Sequence, residues 1–215
     1  MNFHEELLVC ARPVWDVMLR HPFLKETAEC RIEDSVFANW LQQDYLFVQG
    51  AVPFIGVLLS RAPLAVRPGL VLALTALHEE LELFERIASE RNITRQDVKM
   101  TPTCHHYIQF MLATAYSASF EEGFVLLYGA ERAYFDSWSW VRQNLKGTSP
   151  WQPFIDRWSS EDFRQWIEWI ETRLDGLAEK SSPLLRENMK EVFRLTGEYE
   201  LLFWDMAAKG ESWPV

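Results

Sequence analysis

The stretch LVLALTALHEELELF, from Leu70 to Phe84, places apolar side chains along one side of a helix. Leucines stand at positions 70, 74, 77 and 81 and a phenylalanine at 84, so an apolar residue recurs about once per helical turn. Such a seam is typical of a helix packed in a bundle. The same periodicity dominates the rest of the chain, and no β-branched alternating run stands out. We therefore expect an all-α fold.

The periodicity predicts about seven helices, which form a single domain spanning residues 1–215. Pro68, Pro102 and Pro183 stand where first-turn prolines are tolerated, and Ser119 with Glu122 has the spacing of a capping box. No linker, repeat or low-complexity segment divides the chain. The expected helices cover residues 2–20, 34–61, 68–92, 103–117, 120–145, 160–180 and 183–208.

Composition excludes several classes of partner. The chain has 215 residues, of which 48% are hydrophobic and 24% charged, enough for one sizeable core. Its net charge is −10, and it contains no run of lysine or arginine. Binding of nucleic acids or anionic membranes requires clustered positive charge, so we expect neither partner. The longest apolar stretches fall far short of the ~20 residues that cross a bilayer.

The three cysteines, Cys10, Cys30 and Cys104, are too few and too scattered for a disulfide framework. No pair has the spacing of a zinc site, and we expect no bound metal. The N-terminal residues include Glu5 and Glu6 and lack the basic, then apolar, layout of a signal peptide. We therefore expect a reduced, cytoplasmic protein.

Three carboxylates interrupt apolar faces of the predicted helices: Asp44, Glu131 and Glu200. A buried ionisable group must be paired, hydrogen-bonded or shifted in pKa, and such groups gather at active sites. Asp44 could bind the amino group and ring nitrogen of a heterocycle, and the two glutamates could transfer protons. Each of the three could equally be a structural carboxylate in an ion pair of the core.

Aromatic residues on the same faces would complete a pocket inside the bundle: Phe47, Tyr107 and Tyr134. Such a pocket suits acid–base chemistry on a flat, polar molecule. Tyr107 could also be an ordinary core residue. Glu80 lies in the charge-rich run HEELELFER, which favours a solvated face.

Five motifs resemble the TenA family (thiaminase II, aminopyrimidine aminohydrolase). HPF at 21–23 and QQDYLF at 42–47 are similar to its opening signature. PTCHHY at 102–107, SSEDFRQWIE at 159–168 and EYELLFWDMA at 198–207 extend the similarity over nearly the whole chain. The resemblance implies a haem-oxygenase-like helical bundle. It also implies thiamine salvage, in which aminomethyl- or formylaminomethyl-pyrimidine, or thiamine itself, is hydrolysed to hydroxymethylpyrimidine.

Matched position by position, the resemblance assigns binding of the aminopyrimidine to Asp44 and catalysis to Glu200. It assigns four aromatic residues to the substrate pocket: Phe47, Tyr107, Tyr134 and Trp158. Trp158 departs from the family pattern, because a pocket tyrosine is expected at that position. The resemblance further implies a homo-oligomer, either a tetramer or a dimer, and we expect no cofactor.

The nucleophilic cysteine of the family is absent, because Ala130 stands at its position, with Glu131 next in the chain. The segment GAERAYFDSW at 129–138 resembles the cysteine-less, TenA_E-like branch, whose members act on pyrimidine breakdown products. Without the thiol, direct attack by water remains, with Glu200 as the main proton-transfer group and Glu131 assisting. Hydrolysis of an amine or formamide is therefore preferred to cleavage of thiamine.

Two other hypotheses remain open. The missing cysteine permits a non-catalytic protein that binds pyrimidines or regulates other proteins. A haem or di-iron oxygenase of the same fold would need histidine ligands, and di-iron members need them on late helices as well. All five histidines lie in the first half of the chain, which disfavours a di-iron centre and leaves His4 or His21 for haem.

Overall fold

The computed structural model describes residues 1–214, and these residues form helices without a β-strand. This confirms the all-α fold predicted from the sequence. None of the helices in this range combines the length and hydropathy that a membrane span requires. The helices are α1 (Phe3–Cys10), α2 (Arg12–Met18), α3 (Pro22–Ala28), α4 (Asp34–Arg61), α5 (Arg67–Glu90), α6 (Pro102–Ser117), α7 (Phe120–Gln143), α8 (Gln152–Trp158), α9 (Glu161–Ala178) and α10 (Pro183–Lys209).

The described residues thus form more helices than the seven predicted, and three helices of seven residues account for the difference: α2, α3 and α8. Each has a proline in its first turn, namely Pro13, Pro22 and Pro153, where the missing N–H costs no helical hydrogen bond. Pro13 lies just after the break between α1 and α2, within the predicted helix 2–20. Helices of less than two turns are too short to display a recognisable period.

A capping box fixes the start of α7, as the sequence predicts. The backbone N–H of Ser119 donates to the Glu122 carboxylate at 2.8 Å, and the backbone N–H of Glu122 donates to the Ser119 hydroxyl at 3.1 Å. Two backbone donors at the start of the helix are thereby satisfied. The prediction of this motif is confirmed.

The chain contains two compact units. Unit 1 comprises residues 1–33 and 124–205, and unit 2 comprises residues 34–123 with the described residues from 206 onward. Unit 1 therefore holds α1–α3, α8, α9 and most of α7 and α10, whereas unit 2 holds α4–α6. The single-domain organisation inferred from the sequence stays a prediction.

In unit 2, α4 packs against both α5 and α6. The approach to α6 is close because α4 carries Gly50, where a Cβ atom would lie 2.6 Å from the Ile108 side chain. A larger residue would force the two helices apart or displace Ile108. This close approach accompanies ring contact between Phe47 of α4 and Tyr107 of α6, whose centroids are 4.8 Å apart.

The buried face of α5 in unit 2 includes a charged residue. Glu80 is 9% exposed, and Phe84, one turn later on the same face, is fully buried. The seam leucines Leu74, Leu77 and Leu81 are only half-buried. The solvated face expected for Glu80 is therefore wrong, because the helix is rotated toward Ala73, Glu80 and Phe84 rather than centred on the leucines.

In unit 1, α7 and α10 approach each other at small residues. A Cβ atom on Gly129 of α7 would lie 2.7 Å from the Thr196 side chain of α10, and one on Gly197 would lie 3.0 Å from Trp15. Both glycines therefore permit close helix packing. Glu200 follows Thr196 by one turn on the same face of α10, and both side chains are buried.

Candidate functional site

Asp44 lies in the middle of the buried face of α4. Leu41 precedes it by one turn, Phe47 and Val48 follow it by one turn, and all are buried. The Asp44 side chain is 1% exposed. A carboxylate in such surroundings is costly unless it meets polar partners, so its position favours a specific interaction over a solvated one. The burial predicted from the helical spacing is confirmed.

Three predicted residues come together in unit 2, namely Asp44, Phe47 and Tyr107. The rings of Phe47 and Tyr107 are both buried, and their planes are inclined by 41°. Asp44 lies one turn before Phe47 on α4, and Cys104 lies one turn before Tyr107 on α6. The two helices meet here, because the Cys104 thiol lies 3.4 Å from the backbone carbonyl of Gln43, the residue directly before Asp44.

Cys104 itself is unsuited to nucleophilic chemistry. Its buried thiol donates to the backbone carbonyl of Gln43 at 3.4 Å. Burial first, and then the negative charges of Asp44 and Glu211, raise the pKa of the thiol far above its ordinary value. Since the thiolate is the reactive form, Cys104 is held in its unreactive form.

Gln43 was not among the predicted residues, yet it joins α4 to the start of α6. Its side-chain amide donates to the carbonyl of Lys99 at 3.0 Å, and its carbonyl oxygen accepts from the backbone N–H of Thr101 at 2.9 Å. Thr101 in turn caps α6 by accepting from the backbone N–H of Cys104. Gln43 therefore fixes the beginning of the helix that carries Tyr107. Its place beside Asp44 in QQDYLF is the signal that could have indicated it.

Tyr134 of α7 lies between two tryptophans of unit 1. Its ring meets Trp158 of α8 edge-on at 5.3 Å and stacks on Trp204 of α10 at 5.7 Å. Trp138 extends this tryptophan cluster by stacking on Trp158 at 5.4 Å. Two predicted pocket residues, Tyr134 and Trp158, are thus brought together, and Trp204 joins them. Its spacing of four residues from Glu200 could have indicated it.

Glu200 belongs to the buried face of α10. It is 1% exposed, and Thr196 and Trp204, one turn before and after it, are also buried. The sequence places Glu200 beside an apolar line that includes Tyr199, whereas Tyr199 is only half-buried and Glu200 lies within the buried face. A carboxyl that is shielded from water, on a rigid helix, is suited to proton transfer.

Glu131 of α7 is only half-buried, unlike Asp44 and Glu200, so the full burial predicted for it is wrong; its carboxyl is influenced by groups from α8 and α9. Burial raises its pKa from 4.5 to about 7, and two weaker effects oppose the rise, a hydrogen bond from Trp166 and the positive charge of Arg157. A carboxyl that titrates near neutral pH both accepts and releases protons there. Neither Trp166 nor Arg157 was predicted, because a contact between helices leaves no periodic signal in the sequence.

The two histidines that the haem hypothesis requires, His4 and His21, already have polar partners within unit 1. The Nδ1 atom of His21 accepts from the backbone N–H of Phe23 at 3.1 Å, and its Nε2 atom lies 3.2 Å from Asp205. The Nδ1 atom of His4 lies 2.8 Å from Asp175. Within residues 1–214, no three side chains of histidine, cysteine, aspartate or glutamate are grouped as a metal site would require.

Comparison with known proteins identifies relatives over nearly the full length. The sequence model of the TENA/THI-4/PQQC family matches residues 10–210. An aminopyrimidine aminohydrolase from Bacillus subtilis (strain 168) is 29% identical over 225 residues, which cover 99% of this chain and 92% of that protein. One from Helicobacter pylori is 28% identical over 218 residues, which cover 96% and 99%.

Solved structures support the same relationship. The X-ray structure of a TenA homologue from Pyrococcus furiosus matches with a TM-score of 0.93 at 39% identity, covering 95% of this chain and 99% of that one. Structures of such homologues have the helical haem-oxygenase-like fold, so the fold expected from the sequence motifs is confirmed. Because the family model and this structural match both extend over nearly all of the chain, the protein belongs to the TENA/THI-4/PQQC family.

Proposed function

We propose that this protein is a hydrolase of thiamine-derived aminopyrimidines, which converts aminomethyl- or formylaminomethyl-pyrimidine to hydroxymethylpyrimidine in thiamine salvage. The observation that carries the proposal is the buried Asp44 carboxylate on the same face of α4 as Phe47, whose ring meets that of Tyr107. Relatives from Bacillus subtilis and Helicobacter pylori that bear the name aminopyrimidine aminohydrolase support it.

Asp44 is the proposed binding group for the aminopyrimidine. A carboxylate accepts hydrogen bonds from the exocyclic amino group and from a protonated ring nitrogen, and such charge-assisted bonds are strong. Phe47 and Tyr107 offer flat faces for an aromatic ring. In unit 1, Tyr134 and Trp158 are proposed as further rings that contact the substrate.

Glu200 and Glu131 are the proposed proton-transfer groups. In the reaction, water forms a bond to the methylene carbon while the bond from that carbon to nitrogen breaks. The leaving nitrogen gains a proton and water loses one, so two positioned carboxyls supply what the chemistry requires. We assign the main part of the proton transfer to Glu200 and the activation of water to Glu131, whose pKa is raised to about 7.

No cysteine takes part in the proposed mechanism. Ala130 occupies the position of the family's nucleophilic cysteine, and we therefore place the chain in the cysteine-less, TenA_E-like branch. We further propose that the enzyme needs no cofactor and assembles as a homo-oligomer, either a dimer or a tetramer. Light scattering on the purified protein measures its molar mass directly and tests the assembly.

Product chromatography tests the proposed function. The purified protein is incubated with aminomethyl-pyrimidine, formylaminomethyl-pyrimidine or thiamine, and we expect hydroxymethylpyrimidine from the first two, with thiamine cleaved much more slowly. A protein that binds hydroxymethylpyrimidine in calorimetry but converts none of the three would instead support the non-catalytic hypothesis.

Replacement of Asp44 by asparagine is expected to weaken binding of hydroxymethylpyrimidine by about 1.5–3 kcal/mol, because an amide N–H replaces an acceptor oxygen. Isothermal calorimetry measures the change. The matched control is Asp34→Asn, which removes the same charge from an exposed site on the same helix and should leave affinity unchanged. Equal affinity of Asp44→Asn and the wild type would remove Asp44 from the binding site.

Turnover is expected to survive the loss of all three cysteines. Cys10 and Cys30 are exposed, and the raised pKa of Cys104 keeps its thiol protonated. A variant with serine at positions 10 and 30 and alanine at the buried position 104 should retain most activity in the product assay. Loss of activity with an intact circular dichroism spectrum would show that one of these thiols is the nucleophile.

A further inference from the structure

The chain turns back after α10 and lies against the start of α6 in unit 2. Gly210 makes this turn with a φ of 71°, a left-handed conformation that favours glycine. The end of α10 is held by Asn39 of α4, whose side-chain amide donates to the carbonyls of Met206 and Ala207 at 3.2 and 3.0 Å. The strap, residues 210–214, therefore leaves α10 at a fixed point and in a fixed direction.

Glu211 of the strap caps α6. Its two carboxylate oxygens accept from the backbone N–H of Thr103 at 2.9 Å and from the hydroxyl of Thr103 at 3.1 Å. This N–H lies in the first turn, where the helix offers it no carbonyl, and the Thr101 hydroxyl already accepts from Cys104. A carboxylate is also favoured at the positive end of a helix dipole. Glu211 therefore completes the capping of the first turn of α6.

Trp213 makes the second set of contacts between the strap and this region. Its indole N–H donates to the backbone carbonyl of Met100 at 2.9 Å. Its ring centre lies 5.7 Å from that of His105 and 6.0 Å from that of His106, with the rings edge-on. His106 directly precedes Tyr107 in α6. The strap thus contacts α6 as far as the residue before the ring that is proposed to bind substrate.

Gln43 of α4 binds the same region. Its side-chain amide joins the carbonyl of Lys99 and the N–H of Thr101, and the strap binds the carbonyl of Met100 between them. Gln43 directly precedes Asp44, the proposed binding group for the aminopyrimidine. The start of α6 is therefore fixed relative to Asp44 by two sets of hydrogen bonds, one from α4 and one from the strap.

We propose that Glu211 and Trp213 are positioning residues for pyrimidine binding: by fixing the first turn of α6, they hold the Tyr107 ring in the orientation that the substrate requires. Tyr107 lies one turn after Thr103 on the same helix, so a rotation or shift of the first turn displaces its ring. A displacement of about 1 Å is enough to weaken a precisely fitted site. The inference rests on the function proposed above, and it places neither residue in contact with the substrate.

The strap lies over a cavity rather than on a packed core. This cavity has a volume of about 340 Å³ and is lined by residues 99–101 and 211–213. Trp213 is 43% exposed, and Ser212 beside it is exposed as well. Substitutions in the strap are therefore expected to release the start of α6 locally, while the buried core of unit 2 stays folded.

The link between the strap and Tyr107 can be observed without substrate. In protein labelled with ¹³C in its tyrosine rings, the Tyr107 signals, assigned by their loss in Tyr107→Phe, should shift in Glu211→Ala and in Trp213→Ala. Glu211→Gln keeps an acceptor for the Thr103 N–H and should return the signals to their wild-type positions. Ser212→Ala, at the exposed position between the two, is the matched control and should shift nothing. Tyr107 signals that stay constant in both alanine variants would overturn the proposal.

Pyrimidine binding tests the functional consequence. Calorimetry with hydroxymethylpyrimidine should show an affinity about three- to tenfold weaker in Glu211→Ala and in Trp213→Ala, because the loss of a cap or a hydrogen bond displaces α6 without removing a binding group. KM should rise by a similar factor with much less change in kcat, since the proposed proton-transfer groups lie in unit 1. Glu211→Gln should restore most of the affinity. Wild-type affinity in both alanine variants, or a loss confined to kcat, would overturn the proposal.

A double substitution separates positioning of Tyr107 from a general effect on stability. In a Tyr107→Leu background, Glu211→Ala should cause no further loss of affinity, because the ring that it positions is gone. A loss that adds fully in this background would assign Glu211 a purely structural role and overturn the proposal. If the wild type neither binds nor converts a pyrimidine while the Tyr107 signals still respond to the strap, it is the proposed function that fails, and the coupling of the strap to Tyr107 stands.

Discussion

Replacement of Glu200 by glutamine is expected to lower kcat for aminomethyl-pyrimidine by about 10²–10⁴, because glutamine keeps the shape of the side chain but cannot transfer a proton. The side chain is 1% exposed on α10, so water has little access to replace it as an acid or base. Steady-state kinetics and calorimetry with hydroxymethylpyrimidine measure rate and affinity separately. We expect the loss to appear in kcat, with binding changed much less.

Helix α10 provides a matched control for this experiment. Glu198 is exposed on the same helix and forms an ion pair with Arg194. Glu198→Gln removes one charge two residues away and should leave kcat within about twofold, since exposed ion pairs contribute little. Equal kcat values for Glu200→Gln and Glu198→Gln would assign Glu200 a structural role.

Replacement of Glu131 by glutamine is expected to produce opposite effects on activity and stability. We expect kcat to fall by about 10², the lower end of the range for a general acid or base. We expect the free energy of unfolding to rise at pH 8 by at most about 3 kcal/mol, because the variant no longer needs to bury an ionised carboxylate. A packing residue would lose stability on substitution and leave kcat unchanged.

The direction of the stability change follows from the pKa of Glu131. Folding raises that pKa from 4.5 to about 7, so the folded protein binds the proton more tightly than the unfolded chain. The stabilisation from this proton is complete below the unfolded pKa and is lost as the pH rises through about 7. Urea unfolding at pH 4.5 and pH 8 should therefore show a difference between variant and wild type only at the higher pH.

The long helices could be predicted because each repeats its apolar period over several turns. Helices α4, α6 and α10 begin and end within one residue of the predicted bounds. The burial of Asp44 and Glu200 could be predicted for the same reason, since a residue that keeps the helical spacing of its apolar neighbours lies on the buried face. Their roles in binding and catalysis stay predictions.

The contacts around the candidate residues could not be predicted in the same way. Trp166 and Arg157 reach Glu131 from α9 and α8, and such contacts depend on how helices are rotated and crossed rather than on any single period. The burial of Glu80 could not be predicted either. Its charged neighbours on α5 indicate a solvated face, whereas the rotation of the helix about its axis turns Glu80 inward. Gln43 was recognisable only as a neighbour of Asp44.

The tryptophan cluster around Tyr134 has an optical consequence. Light absorbed by this tyrosine passes efficiently to Trp158 and Trp204, whose ring centres lie within 6 Å of its own. These two indoles and Trp138 are almost completely shielded from water, so their fluorescence emission lies at short wavelengths. The emission of these indoles moves to longer wavelengths when water reaches them, so unfolding of unit 1 contributes a red shift to the combined fluorescence of the chain's ten tryptophans, and it does so without an attached dye.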